Sequence, residues 1–208
     1  MGDLIGSRGT LTSSMLVATK AKDLLEVSRV RSTVRTPFSR NPALKAPYGK
    51  ERIHRKVKPL DGAYVAGFID GEGSFSVSIG KHATLKRGLE VRPEFEIEVR
   101  ADDKEVIERI VVTIGCGRIY DCSYERYGWY PHVKYKVTST REMEEILFPF
   151  LDRNPLQAKK AKSYVLFKEI VLAYRRKEHL SDTGFRKILK HREKLRALWK
   201  KARTYGNR

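Results

Sequence analysis

The segment from Tyr64 to Phe75 constrains the fold of this chain more than any other part of the sequence. A helix is predicted to begin after Asp61, whose side chain can cap the first free backbone amides. Ala66 and Gly67 lie inside this apolar helix, and their small size lets a second backbone pack closely against it. A glycine there costs about 1 kcal/mol relative to alanine, which indicates a packing or functional role.

The helix is predicted to end at Glu72, because the glycines on either side of this residue can turn the chain sharply. Apolar and polar residues then alternate, which predicts a half-buried strand. The apolar positions of this strand are Phe75, Val77 and Ile79. The carboxylate of Glu72 is therefore expected where the helix passes into the strand.

This segment resembles the LAGLIDADG motif of homing endonucleases, over the residues Val65–Gly73 (VAGFIDGEG). Within that family the chain looks most similar to the single-motif enzymes encoded in introns of ribosomal RNA genes. The resemblance implies that two such helices pack against each other. It also implies that Glu72, the acid at the eighth position, binds the divalent metal ions that cut DNA, assisted by the carbonyl of Gly71. The alternative is a buried helix-packing surface of small residues beside which the acid is incidental.

The charge of the chain points to a polyanionic partner. The formal net charge is +18 and the pI is about 10.0, which favours nucleic acid over an anionic membrane surface. No run of about 18 apolar residues is present, so no membrane span is predicted. The two cysteines are too few for a disulfide scaffold and have no zinc-ligand spacing, so they indicate reduced thiols of an intracellular protein.

Three regions are predicted along the chain. Residues 1–60 carry 13 Lys and Arg against 4 Asp and Glu and form a basic extension, with one short helix at Leu16–Val27 and an extended or disordered stretch at Arg29–Lys58. This extension is a DNA-contacting arm, a solubilising leader or a transit peptide. Residues 61–180 form the main domain. Residues 181–208 form a basic helix, capped by Ser181–Thr183, that contacts phosphate or is simply solvated.

The main domain is predicted to be α+β. Its elements follow the order α-β-β-α-β-β-α-α. This order matches the α-β-β-α-β-β-α domain of the family that the sequence resembles. The resemblance therefore implies a four-stranded antiparallel saddle backed by helices. The elements after the first strand are predicted at Glu90–Arg100 (strand), Asp102–Thr113 (helix capped by Asp102), Arg118–Glu125 and Tyr130–Thr138 (strands, with a turn at Arg126–Trp129), Thr140–Leu147 (helix capped by Ser139 or Thr140), and a longer helix that ends near Arg175.

A single copy of the motif supplies one acid per chain, whereas cutting both strands of a duplex requires two. The resemblance therefore implies a homodimer with two-fold symmetry, whose interface includes Ala66, Gly67 and Asp70. The expected metal is Mg²⁺ (or Mn²⁺), and the lysine expected near the attacking water is Lys159 or Lys160, with Lys159 preferred. Relatives often carry a glutamine that orients water at the position of Val99, where Arg100 or Asp103 would have to substitute.

The saddle is expected to read a long, pseudo-palindromic double-stranded DNA target. The candidate DNA-binding residues by alternation are Ser76, Ser78, Lys81, His82, Arg92, Arg118, Tyr120, His132, Lys134 and Lys136. Three glutamates lie among them, Glu94, Glu96 and Glu98. These either accept hydrogen bonds from cytosine or, as preferred here, pair with Arg92, Arg118 and Lys134.

Two other functions remain open. The first is a maturase that binds intron RNA and assists splicing, and the second is a DNA-binding regulator that has lost cleavage. Retention of Glu72 favours cleavage, whereas Val99 favours its loss. The expected location is the cytoplasm or nucleoid of a prokaryote, or a plastid or mitochondrion.

Overall fold

A computed structural model describes residues 47–50, 53, 57–124 and 128–203. The predicted helix at Leu16–Val27, most of the extended stretch at Arg29–Lys58 and part of the turn at Arg126–Trp129 lie outside these residues. Within the described part of the chain, no helix is long and apolar enough to cross a membrane.

The secondary structure follows the predicted order. Three consecutive helical stretches, of which the middle one is π-helical, are together called α3. The elements are α1 (Gly62–Glu72), β1 (Gly73–Lys81), β2 (Leu89–Arg100), a 3-10 turn (Ala101–Asp103), α2 (Lys104–Ile114), β3 (Arg118–Cys122), β4 (His132–Val137), α3 (Thr140–Glu142, Met143–Leu147 and Phe148–Arg153), α4 (Lys160–Arg175), a 3-10 turn (Glu178–Leu180) and α5 (Asp182–Arg203).

The four strands form one antiparallel sheet in the order β1-β2-β4-β3. Period-2 alternation turns one face of the sheet toward the helices and leaves the other face open. The rings of Phe75, Phe95 and Phe167 pack on the helix side, with the centroid of Phe75 5.1 Å from that of Phe95 and 5.3 Å from that of Phe167. The α+β saddle predicted from the sequence is therefore confirmed.

Most predicted helix ends are found in the structure. The carboxylate of Asp61 accepts hydrogen bonds from the amides of Ala63 and Tyr64 at 2.8 and 3.2 Å. The hydroxyl of Ser139 likewise accepts from the amide of Glu142 at 3.3 Å. The cap predicted at Asp102 is wrong, because a 3-10 turn precedes α2 and the Asp102 carboxylate pairs with Arg100 at 2.7 Å.

Two strands are shorter than predicted: β3 ends at Cys122, and β4 begins at His132. Cys116 and Cys122 are free and buried, as expected for reduced thiols. Burial raises the pKa of Cys116 to about 12, so this thiol stays protonated near neutral pH.

The described residues before Asp61 are part of the packing of the body. Tyr48 exchanges two backbone hydrogen bonds with Ile119, at 3.1 and 2.7 Å, and thereby covers the outer edge of β3. Its hydroxyl donates to Glu108 on α2 at 2.8 Å, and the amide of Leu60 donates to the Thr113 hydroxyl at 2.8 Å. Tyr48 and Leu60 therefore contact the body, and the boundary between residues 60 and 61 stays a prediction.

The predicted C-terminal helix is present as α5, and it contacts β1 and the β1–β2 hairpin. Arg87 in the hairpin forms an ion pair with Asp182 at 2.7 Å, and its guanidinium lies 4.8 Å from the centre of the Phe185 ring. Arg192 donates to the carbonyl of Val77 at 2.8 Å, on the outer edge of β1. α5 therefore protects the second edge of the sheet.

Gly117, which directly precedes β3, is expected to be sensitive to substitution. Its φ is +80°, and an added Cβ would lie 2.4 Å from the Tyr135 ring and 2.7 Å from the Lys136 carbonyl. Gly117→Ala should therefore lower the free energy of unfolding by about 3 kcal/mol or more, from left-handed strain plus overpacking. Gly88→Ala is the matched control: φ is +65° with open space around the Cβ, so about 1 kcal/mol is expected. Urea unfolding measures both, and equal losses would contradict the packing argument.

Candidate active site and nucleic-acid interface

Glu72 is the last residue of α1, and its side chain is exposed. Gly73 follows it directly, and a Cβ at that position would lie 2.7 Å from the Ile69 carbonyl. Only glycine allows the chain to pass this closely from α1 into β1. The tight junction fixes the backbone beside Glu72 and leaves its carboxylate in solvent at the end of the helix, as the sequence predicted.

Asp70 ties the loop before α4 to the end of α1. One of its carboxylate oxygens accepts hydrogen bonds from the amides of Gln157 and Ala158, at 2.6 and 3.0 Å. These bonds bring the first turn of α4 against Gly71. The sequence predicts Asp70 at the dimer interface. In the structure its carboxylate faces a loop of its own chain.

Lys160, rather than Lys159, lies at this junction. Its ammonium donates a hydrogen bond to the carbonyl of Gly71, whereas Lys159 is exposed. Burial lowers the pKa of Lys160 below its usual value, although the negative charges of Glu72 and Asp70 act to raise it. Of the two predicted lysines, Lys160 is therefore the one that the structure places against Gly71. The catalytic role of either lysine stays a prediction.

The oxygen atoms at this junction suit a hard divalent cation. Glu72 supplies an exposed carboxylate, and Gly71 supplies a carbonyl that also accepts a hydrogen bond from Lys160. Mg²⁺ is bound by oxygen ligands and keeps several waters or phosphate oxygens. No group of three or more His, Cys, Asp and Glu side chains that could hold a metal ion occurs among the described residues.

The exposed side of α1 carries two glycines and one large aromatic side chain. An added Cβ at Gly67 or at Gly71 would meet nothing within 4 Å, and Tyr64, one turn before Gly67, is 53% exposed. Ala66 is only 5% exposed and packs in the core of its own subunit. Of the residues predicted at the dimer interface, Gly67 is therefore the one on the open side of α1.

The open face of the sheet carries most of the predicted DNA-binding residues. Arg118, Lys136 and Glu96 lie side by side across three strands, as do Tyr120, Lys134 and Glu98. The other predicted residues follow along the strands or continue into the β1–β2 hairpin. These are Ser76 and Ser78 on β1, opposite Glu94 and Arg92 of β2, then Lys81 at the end of β1, His82 in the hairpin, and His132 on β4.

The glutamates on this face are paired with lysines. Lys134 lies 2.7 Å from Glu98 and 3.5 Å from Glu96, and Lys136 lies 2.6 Å from Glu96 and 3.0 Å from Glu94. The predicted pairing with Lys134 is confirmed. The other two predicted partners are wrong. Arg92 pairs with Glu90 at 2.6 Å, and among the described residues Lys136, not Arg118, is the second cation that pairs with these glutamates.

Val99 packs against the core, on the same face of β2 as Ile97. It therefore supplies no polar atom for orienting water. Of the proposed substitutes, Arg100 is engaged with Asp102 and lies 4.3 Å from the centre of the Tyr130 ring. The water-orienting group expected on this strand has no counterpart at Val99.

Sequence reasoning missed an aromatic cluster beside this face. Trp129 and Tyr130 are 64% and 68% exposed, and the Trp129 ring stands edge-on to Tyr124 at 5.9 Å. The Tyr124 hydroxyl donates to Glu98 at 2.8 Å, which connects the cluster to the glutamates of the sheet. The local signal was the aromatic-rich stretch around Gly128, which was read only as a turn.

Comparison with known proteins agrees with this geometry. The model of the LAGLIDADG endonuclease family matches residues 65–171, about half of the chain, from α1 through most of α4. The chain belongs to the LAGLIDADG endonuclease family. The described residues before α1 and the helix α5 lie outside the matched region.

Two curated proteins illustrate the relationship. Homing endonuclease I-ApeII of Aeropyrum pernix is 36% identical over 116 residues, which is 56% of this chain and 65% of that protein. Probable intron-encoded endonuclease 2 of Neurospora crassa is 28% identical over 155 residues, covering 69% of this chain and 32% of that protein. The chain thus spans less than two thirds of either relative.

Solved LAGLIDADG structures share the fold. The I-LtrWI LAGLIDADG homing endonuclease bound to target DNA has a TM-score of 0.60 and 35% identity, covering 65% of this chain and 44% of that one. I-SmaMI bound to uncleaved DNA in the presence of calcium ions has a TM-score of 0.59 and 30% identity, covering 66% of this chain and 48% of that one. In both cases this chain covers less than half of the neighbour.

Proposed function

We propose that this LAGLIDADG protein is a site-specific, metal-dependent endonuclease that cuts double-stranded DNA as a homodimer. The observation that carries the proposal is the exposed Glu72 carboxylate at the end of α1, with Lys160 beside it and the open glycine surface of α1 next to it. The solved relatives bound to target DNA support the choice of substrate.

Glu72 and the Gly71 carbonyl would hold the divalent cation, for which Mg²⁺ is the proposed ion. The cation would stabilise charge on the scissile phosphate and lower the pKa of the attacking water. Lys160 would assist the same hydrolysis step. Its ammonium adds positive charge beside Glu72, and because burial lowers its pKa, Nζ is a better proton donor to a leaving oxygen than a solvated lysine.

The number of catalytic acids per chain supports the homodimer. Each chain has one such carboxylate, and hydrolysis of two strands requires two. The open space at Gly67 and Gly71 allows two copies to meet helix to helix there, as an isologous interface requires. Two saddles then face one duplex, which matches a long pseudo-palindromic site.

The direct test is cleavage by the purified full chain of duplex DNA spanning intronless ribosomal RNA genes. We expect discrete double-strand cuts with Mg²⁺ or Mn²⁺ and none in EDTA, because Glu72 alone cannot polarise the phosphate. A fully randomised duplex of equal length serves as the control substrate. Cutting that persists in EDTA, or equal cutting of both substrates, would contradict a metal-dependent, site-specific enzyme.

A maturase function is the second candidate, and the exposed aromatic side chains favour it. Unpaired bases of RNA stack on exposed aromatic rings, and Trp129 and Tyr130 offer two such rings beside the sheet. Tight binding to a structured intron RNA, without cutting of any duplex, would shift the assignment to this function.

We further propose that the protein acts where intron-bearing DNA is found, in a plastid, a mitochondrion or a prokaryotic cell. The names of the curated relatives support this, since they include intron-encoded endonucleases of fungi and I-CeuI of Chlamydomonas moewusii. I-CeuI is 30% identical over 90 residues.

A further inference from the structure

The centre of the open sheet face carries alternating acids and bases. Glu94, Glu96 and Glu98 follow one another along β2, and Lys134 and Lys136 stand opposite them on β4. We call these five residues the Glu–Lys ladder. Every lysine of the ladder contacts two glutamates within 3.5 Å. A surface that only attracted phosphate would gain from lysines alone, so the acids of the ladder require an explanation.

The ladder holds its side chains in defined positions. Lys134 is 14% exposed, Lys136 22% and Glu96 22%, so each side chain is held mostly out of solvent but remains partly accessible. Burial alone raises the pKa of Glu96, but hydrogen bonds and charge from Lys136 and Lys134 outweigh it and keep the pKa below its usual value. Glu96 is therefore a carboxylate that only accepts hydrogen bonds, fixed beside an ammonium that only donates them.

This arrangement matches one kind of base pair. In the major groove, cytosine presents the N4 donor, and the guanine paired with it presents acceptors at O6 and N7. Adenine places its N7 acceptor next to its N6 donor, so a carboxylate that meets adenine also meets a repelling lone pair. A carboxylate beside a lysine therefore favours a cytosine–guanine pair over a thymine–adenine pair.

We propose that Glu96, together with Lys136, reads one C·G base pair in each half of the DNA target. This inference rests on the proposed function and adds to it the base that this position selects. Phosphate contacts are left to basic residues outside the ladder, such as Arg118 and Lys81, which are exposed. Lys136 donates to guanine while Glu96 accepts from cytosine N4, so the pair is satisfied only when both bases are present.

Glu96→Gln tests this proposal, because the substitution should reverse the base preference at one position. Glutamine pairs with adenine N6 and N7, so the base preference should move from cytosine to adenine at one position of each half-site. The experiment selects bound duplexes from a randomised library with the wild-type chain, Glu96→Gln and Glu145→Gln, and sequences them. Glu145→Gln is the matched control, because Glu145 pairs with Arg141 at 2.9 Å on α3, away from the sheet face.

The expected result is a decrease of about tenfold or more in the cytosine-to-adenine ratio at that one position, with no change for Glu145→Gln. An unchanged sequence preference, with or without tighter overall binding, would overturn the inference while the proposed function stands. A wild-type chain that enriches no sequence would instead overturn the proposed function and the inference with it. If circular dichroism shows Glu96→Gln to be unfolded, Glu94→Gln, which also loses an ion pair with Lys136, carries the same prediction at a neighbouring position.

Discussion

Glu72→Gln is expected to abolish DNA cutting while leaving duplex binding intact. Glutamine keeps the size of the side chain but removes the negative charge that would hold a divalent cation, so a loss of about 1000-fold in cleavage rate is expected. Glu72 is exposed at the end of α1, so the fold should be preserved. Single-turnover cleavage and gel-shift binding measure the two effects separately.

Glu105→Gln is the control for this experiment, because Glu105 is also an exposed helical acid but lies in the first turn of α2. It should cut at the wild-type rate. If Glu72→Gln cuts normally, the carboxylate is not the metal ligand and the assignment of the active site fails. Parallel loss of binding and of the cooperative unfolding transition would instead indicate that Glu72 has a structural role.

Gly67→Leu is expected to produce a folded monomer that no longer makes double-strand cuts. The space around Gly67 is open within the chain, and leucine is the better helix former by about 0.8 kcal/mol, so the free energy of unfolding should not decrease. In a two-fold interface each new side chain meets its own symmetry mate. Overpacking at two related positions then costs about 2–6 kcal/mol of association free energy.

Light scattering with and without duplex DNA gives the mass of each variant, and a plasmid assay separates nicking from linearisation. Ala197→Leu is the matched control, since it adds a comparable side chain at an exposed position of α5 and should remain dimeric on DNA. A wild-type chain that stays monomeric on DNA would remove the argument for the homodimer. A dimeric Gly67→Leu would move the interface to another face of the chain.

The elements of the fold could be predicted because each has a local signal. Asp61 and Ser139 cap helices through amides two or three residues away, and the β2 alternation depends on neighbours two residues apart. The cap predicted at Asp102 failed, because Arg100 competes for the same carboxylate. A cap is a local preference that a nearby opposite charge can override.

The composition of the site was less predictable than its location. Glu72 was found from the motif alone, but Lys159 and Lys160 are adjacent in sequence and differ only in which of them the Asp70 tether turns toward Gly71. Ala66 and Gly67 are likewise adjacent, yet one faces the core and the other faces solvent. The direction of a helix face depends on what packs against it, which the helix's own residues do not reveal.

By itself, the sequence determined the helix–glycine–acid–strand junction at Glu72, the four alternating strands and the basic character of the chain. These depend on residues within a few positions of one another, where backbone preference and periodicity act directly. Only the tertiary structure decided that Lys160 meets Gly71, that Tyr48 and α5 cover the sheet edges, and that Glu96 lies between Lys134 and Lys136. Such contacts join residues distant in sequence, and packing of the whole domain fixes them.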